Sequence, residues 1–151
     1  MRISAALAPV NRLYVDTSPL IYYVELHPHY IARMDAVIAR IKSPSIEGVC
    51  SVITLAEVLP VPLRMRRFDL VADYRAILLN SREIRCVPVS AGIAAAAAEL
   101  RSRHNLKTPD ALHLAIAIET GCDAFLSNDL DLKRVTAIQV LILDELEIDL
   151  P

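Results

Sequence analysis

Leu13-Tyr14-Val15-Asp16-Thr17-Ser18-Pro19 joins a short apolar run to a carboxylate and then to a helix start. The three apolar residues read as a buried strand. Ser18 reads as an N-cap and Pro19 as a first helical residue, so a helix follows at once. In an open α/β sheet, ligands bind beyond the carboxyl ends of the strands. Asp16 therefore stands where a functional acid belongs. Taken alone it needs no function, because Asp favours strand-to-helix turns, where its oxygens accept backbone N–H bonds. The rest of the chain decides between the two readings.

Outward from this stretch, strand and helix patterns alternate. Ser18 to Leu26 reads as a first helix. Ile31, Met34, Ile38 and Ile41 recur at helical spacing, with Arg33 and Arg40 between them, and Ser43-Pro44-Ser45 breaks that helix. Gly48 to Ile53 reads as a second strand. Thr54 is expected to cap a short helix over 55–59, which Pro60 and Pro62 interrupt. Leu63 to Leu79 is helical again, and Ile84 to Val89 forms a third strand, in which Pro88 implies an edge or strand-end position. Ser90 caps an Ala-rich helix to His104. Thr108-Pro109-Asp110 opens a helix that is apolar on nearly every face and hence central, stopped at Gly121. Ala124 to Ser127 and Ile138 to Leu143 are the fourth and fifth strands, and Asp144 to Pro151 is an acidic tail. The alternation predicts an α/β fold, with a mainly parallel central sheet of about five strands and helices on both faces. Residues 1–11 read as a loose leader and 12–151 as one domain.

The 151 residues suffice for one domain with a sizeable core, and 54% hydrophobic against 23% charged residues excludes a disordered chain. No apolar run is long enough to span a membrane. Cys50, Cys86 and Cys122 match no zinc or redox spacing. Free cysteines in apolar segments fit a reducing cytoplasm. The net charge of −2 does not by itself point to nucleic acid. Basic residues nevertheless cluster at Arg64, Arg66 and Arg67, at Arg101, Arg103 and Lys107, and at Lys133 and Arg134. The plain reading of each cluster is a solvated helix face. The functional one is contact with a phosphate backbone.

Four acids recur at similar topological places: Asp16 after strand one, Glu57 in the helix after strand two, Asp110 in the first turn of the central helix, and Asp129 after strand four. Each has an ordinary explanation. Glu57 fits a helix surface, Asp129 a turn, and Asp110 the positive end of its helix, an effect worth about 0.3–1 kcal/mol. Together, Tyr14-Val15-Asp16-Thr17-Ser18, Leu55-Ala56-Glu57-Val58, Thr108-Pro109-Asp110-Ala111-Leu112-His113-Leu114-Ala115 and Leu126-Ser127-Asn128-Asp129-Leu130-Asp131 resemble the four acidic motifs of the PIN domain. The closest resemblance is to VapC-type toxin ribonucleases, and it spans Leu13 to about Leu143. It implies a single PIN-like domain with Mg²⁺- or Mn²⁺-dependent endoribonuclease activity. It also implies an RNA substrate, a small inhibitory antitoxin and a homodimer.

By the same resemblance, Asp16, Glu57, Asp110 and Asp129 match the catalytic acids, with Asp16, Asp110 and Asp129 as the metal set. Thr17 or Ser18, Ser127 and Asp131 match supporting positions. The chain departs from the pattern at Leu132, where an aromatic residue is common, in the prolines after Glu57 and in its longer leader. Carboxylates suit the chemistry because Mg²⁺ prefers oxygen and takes few direct protein ligands. A metal can activate water and stabilise the charge of a phosphodiester under attack, so no Ser or His nucleophile is needed. Asp16 and Asp129 are assigned as direct ligands, and Glu57 and Asp110 orient or deprotonate the water.

His113 follows Asp110 by three residues, on the same helix face. Its apolar neighbours favour a satisfied core histidine over a site residue. A haloacid-dehalogenase-like phosphotransferase needs a second Asp where Ser18 stands, and a response-regulator-like receiver needs a Lys that Lys133 supplies poorly. The alternative from another class is a PIN-like module that binds RNA or protein without cleaving it.

Overall fold

In the computed structural model, which describes residues 1–43 and 45–151, Arg12–Val15 forms the middle strand, β1. It pairs on one side with β2 (Glu47–Ser51) and on the other with β4 (Ala124–Ser127). β3 (Ile84–Val87) extends the sheet beyond β2, and β5 (Gln139–Ile142) beyond β4. The order is β3-β2-β1-β4-β5, and every pairing is parallel. Because the chain turns to opposite sides from β1, the carboxyl ends of β1 and β4 flank the point where strand order reverses. Such crevices hold the ligands of open α/β folds.

The pleat of β1 explains why its neighbours are all apolar. Leu13 and Val15 point into one core and Tyr14 into the other. The first core packs under α1 (Ile3–Leu7), α2 (Thr17–Val24), α3 (Ile31–Lys42), α4 (Val52–Val58) and, after α5 (Pro60–Arg64), α6 (Phe68–Leu79). The second packs under α7 (Ala91–Arg103) and α8 (Thr108–Glu119). Leu13, Leu20, Leu114 and Leu126 are fully buried, each such side chain contributing about 1.5–3 kcal/mol of transfer free energy. Tyr14 stacks on Phe125 with ring centroids 5.0 Å apart. Gly121 ends α8 with φ +74°, and the Cys122 amide donates back to the Ala117 carbonyl, a left-handed helix stop.

Several boundaries differ from the sequence expectation. Residues 1–11 are not a loose leader: α1 buries Ile3, Ala6 and Leu7, and Arg2 pairs as a strand bridge with Glu147. The expected acidic tail is thereby tied down, with Leu146 buried. The first helix begins one residue before Ser18, because Asp16 itself is the cap and accepts from the Thr17 amide. β2 stops at Ser51, and Val52 and Ile53 are already helical. Ser51, rather than Thr54, caps α4 by accepting from the Ile53 amide. Pro60 opens α5 at a position where its missing N–H costs nothing. The helix expected over 63–79 is consequently split, and α6 starts at Phe68. Of the break expected at Ser43-Pro44-Ser45, Ser43 caps the end of α3, and Pro44 lies outside the described residues. Pro88 follows β3, which is an edge strand, as its restriction demands.

Candidate active site

Asp16 leaves β1 at the carboxyl edge of the sheet and is nine-tenths buried. Its Oδ1 accepts from the Thr17 amide at 2.8 Å, and its Oδ2 accepts from Ser127 Oγ at 2.8 Å. Ser127 is the last residue of β4, and its Oγ also accepts from the Asp129 amide at 3.1 Å. One buried hydroxyl thus ties Asp16 to the turn that carries Asp129. Asp129 in turn caps the 3₁₀ turn over Leu130–Arg134, accepting from the Asp131 amide at 3.0 Å. Leu132, where the resemblance favours an aromatic residue, is buried in the second core.

Glu57 enters from α4. Its Oε1 accepts from Thr17 Oγ1 at 2.8 Å and lies 2.6 Å from His113 Nε2. The His113 interaction, and after it the Thr17 bond, holds the Glu57 carboxyl below its ordinary range against an opposing desolvation. His113 Nε2 also lies 3.8 Å from Asp16 Oδ1. On the other side of the ring, Nδ1 is 2.6 Å from the Tyr14 hydroxyl, which is hydrogen-bonded to Ser51 Oγ at 3.0 Å. Nε2 faces the Glu57 carboxylate, which can only accept, and the direction of the Nδ1–Tyr14 contact follows from the ring's tautomer.

Asp110 stands in the first turn of α8. Burial pushes its carboxyl pKa up, and the negative charges of Asp16 and Asp129, and more weakly Glu57, push it further. Asp110, Asp129 and Asp131 line a cavity of about 150 Å³ together with Lys107 and Arg134. A larger hollow of about 280 Å³ between α3 and α6 shares no residue with the acids, and Ser81 and Glu83 in its wall are hydrogen-bonded to each other.

The fold thus connects Asp16, Glu57 and Asp129 by shared hydrogen-bond partners and puts Asp110 in their field. Of the two hydroxyls beside the first acid, Thr17 bonds Glu57, while Ser18 is solvent-exposed. Asp131 is exposed at the cavity rim. Of the basic clusters read from the sequence, Lys107 and Arg134 line this cavity. Arg64, Arg66 and Arg103 are exposed elsewhere. Arg67 is held bidentately by Asp69, and Arg101 donates to the Leu106 carbonyl. His113 is a buried, satisfied histidine, as its apolar neighbours implied, yet its partners put it inside the site. Tyr14 and Ser51 join it as participants not singled out from the sequence. The only available signal for Tyr14 and Ser51 was a hydroxyl within an otherwise apolar strand.

Among the described residues, no three His, Cys, Asp or Glu side chains are arranged to hold one ion directly. Asp16, Asp110 and Asp129, the metal set of the resemblance with Asp16 and Asp129 as its direct ligands, form no such three-ligand group. An oxygen-only set with excess negative charge still fits a hard ion such as Mg²⁺, which takes one or two carboxylates and keeps its remaining waters. No described helix is long and apolar enough to cross a membrane.

The PIN domain model matches residues 13–138. No curated protein matches the chain. Among solved structures, VapBC2 from Rickettsia felis bound to a promoter DNA fragment is similar, with TM-score 0.70 and 17% identity over 87% of this chain and 98% of that one. VapC20 from Mycobacterium tuberculosis, a sarcin–ricin loop cleaving toxin, gives 0.66 and 22% over 82% and 95%. FitAcB from Neisseria gonorrhoeae gives 0.64 and 18% over 88% and 99%. At these identities the structural likeness bears on the fold.

Proposed function

The chain belongs to the PIN domain family, and on that footing we propose that it is a Mg²⁺- or Mn²⁺-dependent endoribonuclease, the toxin of a toxin–antitoxin pair. The observation that carries the reading is the Ser127 hydroxyl, which joins Asp16 to Asp129 while Asp110 feels both charges. Ordinary caps and turns have no reason to accumulate four carboxylates at one sheet end. A divalent cation relieves that repulsion. When bound, it supplies Lewis-acid stabilisation of the charge that builds on a phosphodiester and on its departing oxygen.

Asp16, Asp110 and Asp129 would hold the ion, directly or through water. Both oxygens of Asp16 already accept one hydrogen bond each and keep a further lone pair for this purpose. Glu57 is aimed by Thr17 and His113. Its lowered pKa keeps it ionised at neutral pH, able to orient the attacking water and accept its proton. Lys107 and Arg134 beside the acids offset their charge toward an incoming phosphate.

A small antitoxin and a homodimer complete the reading. Val61, Leu63, Met65 and Phe68 stand exposed around α5, a concentration of apolar surface suited to protein contact. The solved neighbours include VapBC complexes, which supports the antitoxin reading. The test is cleavage of structured RNA with Mg²⁺, Mn²⁺ or chelator, beside Asp16→Asn. Metal-dependent product that disappears in the variant supports the nuclease. Binding without product selects an RNA-binding module instead. Light scattering at high protein concentration tests the dimer, and binding to a small protein encoded next to this gene tests the toxin reading.

A further inference from the structure

None of the three cysteines has a part in the acidic site, and the sheet sets two of them side by side. Cys50 of β2 and Cys86 of β3 are register partners. Register partners in a parallel pair point to the same face, and both side chains pack against the first core. Neighbouring strands lie about 4.8 Å apart, within the ~4.4–6.8 Å between α-carbons that a disulfide requires. We infer that Cys50 and Cys86 form a dithiol modification site, oxidised by hydrogen peroxide to a reversible cross-strand disulfide.

The two thiols are unequal in the way such a site requires. Cys50 is fully buried, whereas Cys86 lies on the edge strand and is half-buried. The interaction between the two thiols lowers the pKa of Cys86 and, together with burial, raises that of Cys50. Cys86 is therefore the reachable thiolate, and Cys50 is the resolving thiol held against it. The Cys86 thiolate attacks one peroxide oxygen. An S–O bond forms, the O–O bond breaks, and the released hydroxide takes a proton to leave as water. The Cys50 sulfur then attacks Cys86. The S–S bond forms, the S–O bond breaks, and the Cys50 proton leaves with hydroxide as a second water. Two thiols lose two electrons, and one peroxide is reduced to two waters. Cys122 is also half-buried, but it neighbours Thr120 on the other side of the sheet and has no thiol partner there. It serves as an internal control.

The experiment treats the folded, reduced full chain with hydrogen peroxide, blocks remaining thiols, and reads intact mass and linked peptides. The parent and Cys122→Ala should each lose the mass of two hydrogens, yield a peptide linking 50 to 86, and recover their mass with dithiothreitol. Cys86→Ala should keep its mass. Cys50→Ala should instead accumulate a sulfenic acid at Cys86 that dimedone traps. A disulfide involving Cys122, a link between two chains, over-oxidation of Cys86 without a link, or no reaction in a parent shown folded by circular dichroism would each overturn the assignment. If Cys50→Ala fails to fold, the parent and Cys122→Ala still decide it, because peptide mapping identifies the bond directly.

Discussion

His113 Nε2 lies 2.6 Å from Glu57 Oε1, and the same ring is braced from behind by the Tyr14 hydroxyl at 2.6 Å from Nδ1. A buried ring with partners at both nitrogens cannot swivel, so Glu57, on a partly exposed helix, takes its direction from the core. His113→Leu should leave the Tyr14 hydroxyl with Ser51 alone, at a cost of about 0.5–1.5 kcal/mol for the lost hydrogen bond. Substitution of residues that orient metal-site ligands commonly lowers metal affinity or activity by about 10–100-fold. Tyr14→Phe should reproduce part of the loss while leaving the fold intact. Thermal melts and cleavage rates of both variants check this. Full cleavage activity in a folded His113→Leu would show that Glu57 needs no brace.

Glu57 and Asp110 should respond to pH with opposite signs. Glu57's folded pKa lies below its ordinary 4.5. Its contribution to stability is therefore present above about that value and is lost as pH falls through the folded pKa. Asp110's folded pKa lies above its ordinary 3.8. Ionising it costs the fold stability, fully so above the folded pKa and not at all below the ordinary one. Without metal, Asp110→Asn should melt above the parent at neutral pH, and the gap should close on acidification. Glu57→Gln should melt below the parent at neutral pH, and that gap should also close in acid. Melts across the acid range, with chelator, test both signs.

Divalent metal should raise the parent's melting temperature, because binding only the folded state stabilises it by mass action. Asp129→Asn should reduce that shift and abolish cleavage. Asp16→Asn should do the same, but it also weakens the cap on α2 and the Ser127 bond, so some loss of apo stability is expected, about 0.5–2 kcal/mol for a lost cap. Equal metal shifts in parent and both variants would remove the case for a shared acidic site.

Lys107 and Arg134 should matter for RNA binding where Arg67 does not. Arg67 is committed to Asp69, whereas Lys107 and Arg134 border the acids. Neutralising either of the latter should reduce the slope of log affinity against log salt by about 0.7 for each single-strand phosphate that the side chain had neutralised. Arg67→Gln should leave the slope unchanged. Titrations with a labelled oligonucleotide at several salt concentrations read all three.

The parallel sheet was legible because β1, β2 and β4 are buried on both faces and read as short apolar runs bounded by caps, while α8 betrays itself by being apolar all round. The acids were legible because each sits where an element begins or ends. What escaped the sequence depended on distant partners. α1 is too short to announce itself and exists because Arg2 and Ile3 pair with Glu147. Val52 and Ile53 are β-branched and read as strand, yet the Ser51 cap turns them into helix. His113 looked like core filling, since nothing local reveals that Tyr14, ninety-nine residues earlier, and Glu57 meet its two nitrogens.

The two halves of the acidic site ride on elements of very different tenacity. Asp110 and His113 belong to α8, whose Ala111, Leu114, Ala115, Ile116 and Ala117 are all buried, whereas Glu57 belongs to α4, which buries only Thr54 and Val58. In native-state hydrogen exchange the amides of α8 should therefore be released only with global unfolding, while those of α4 exchange through smaller, cheaper openings. Each such opening withdraws Glu57 and leaves Asp16, Asp110 and Asp129 standing, so under the proposed mechanism the folded population always contains a fraction that keeps the three aspartates and lacks the proton acceptor.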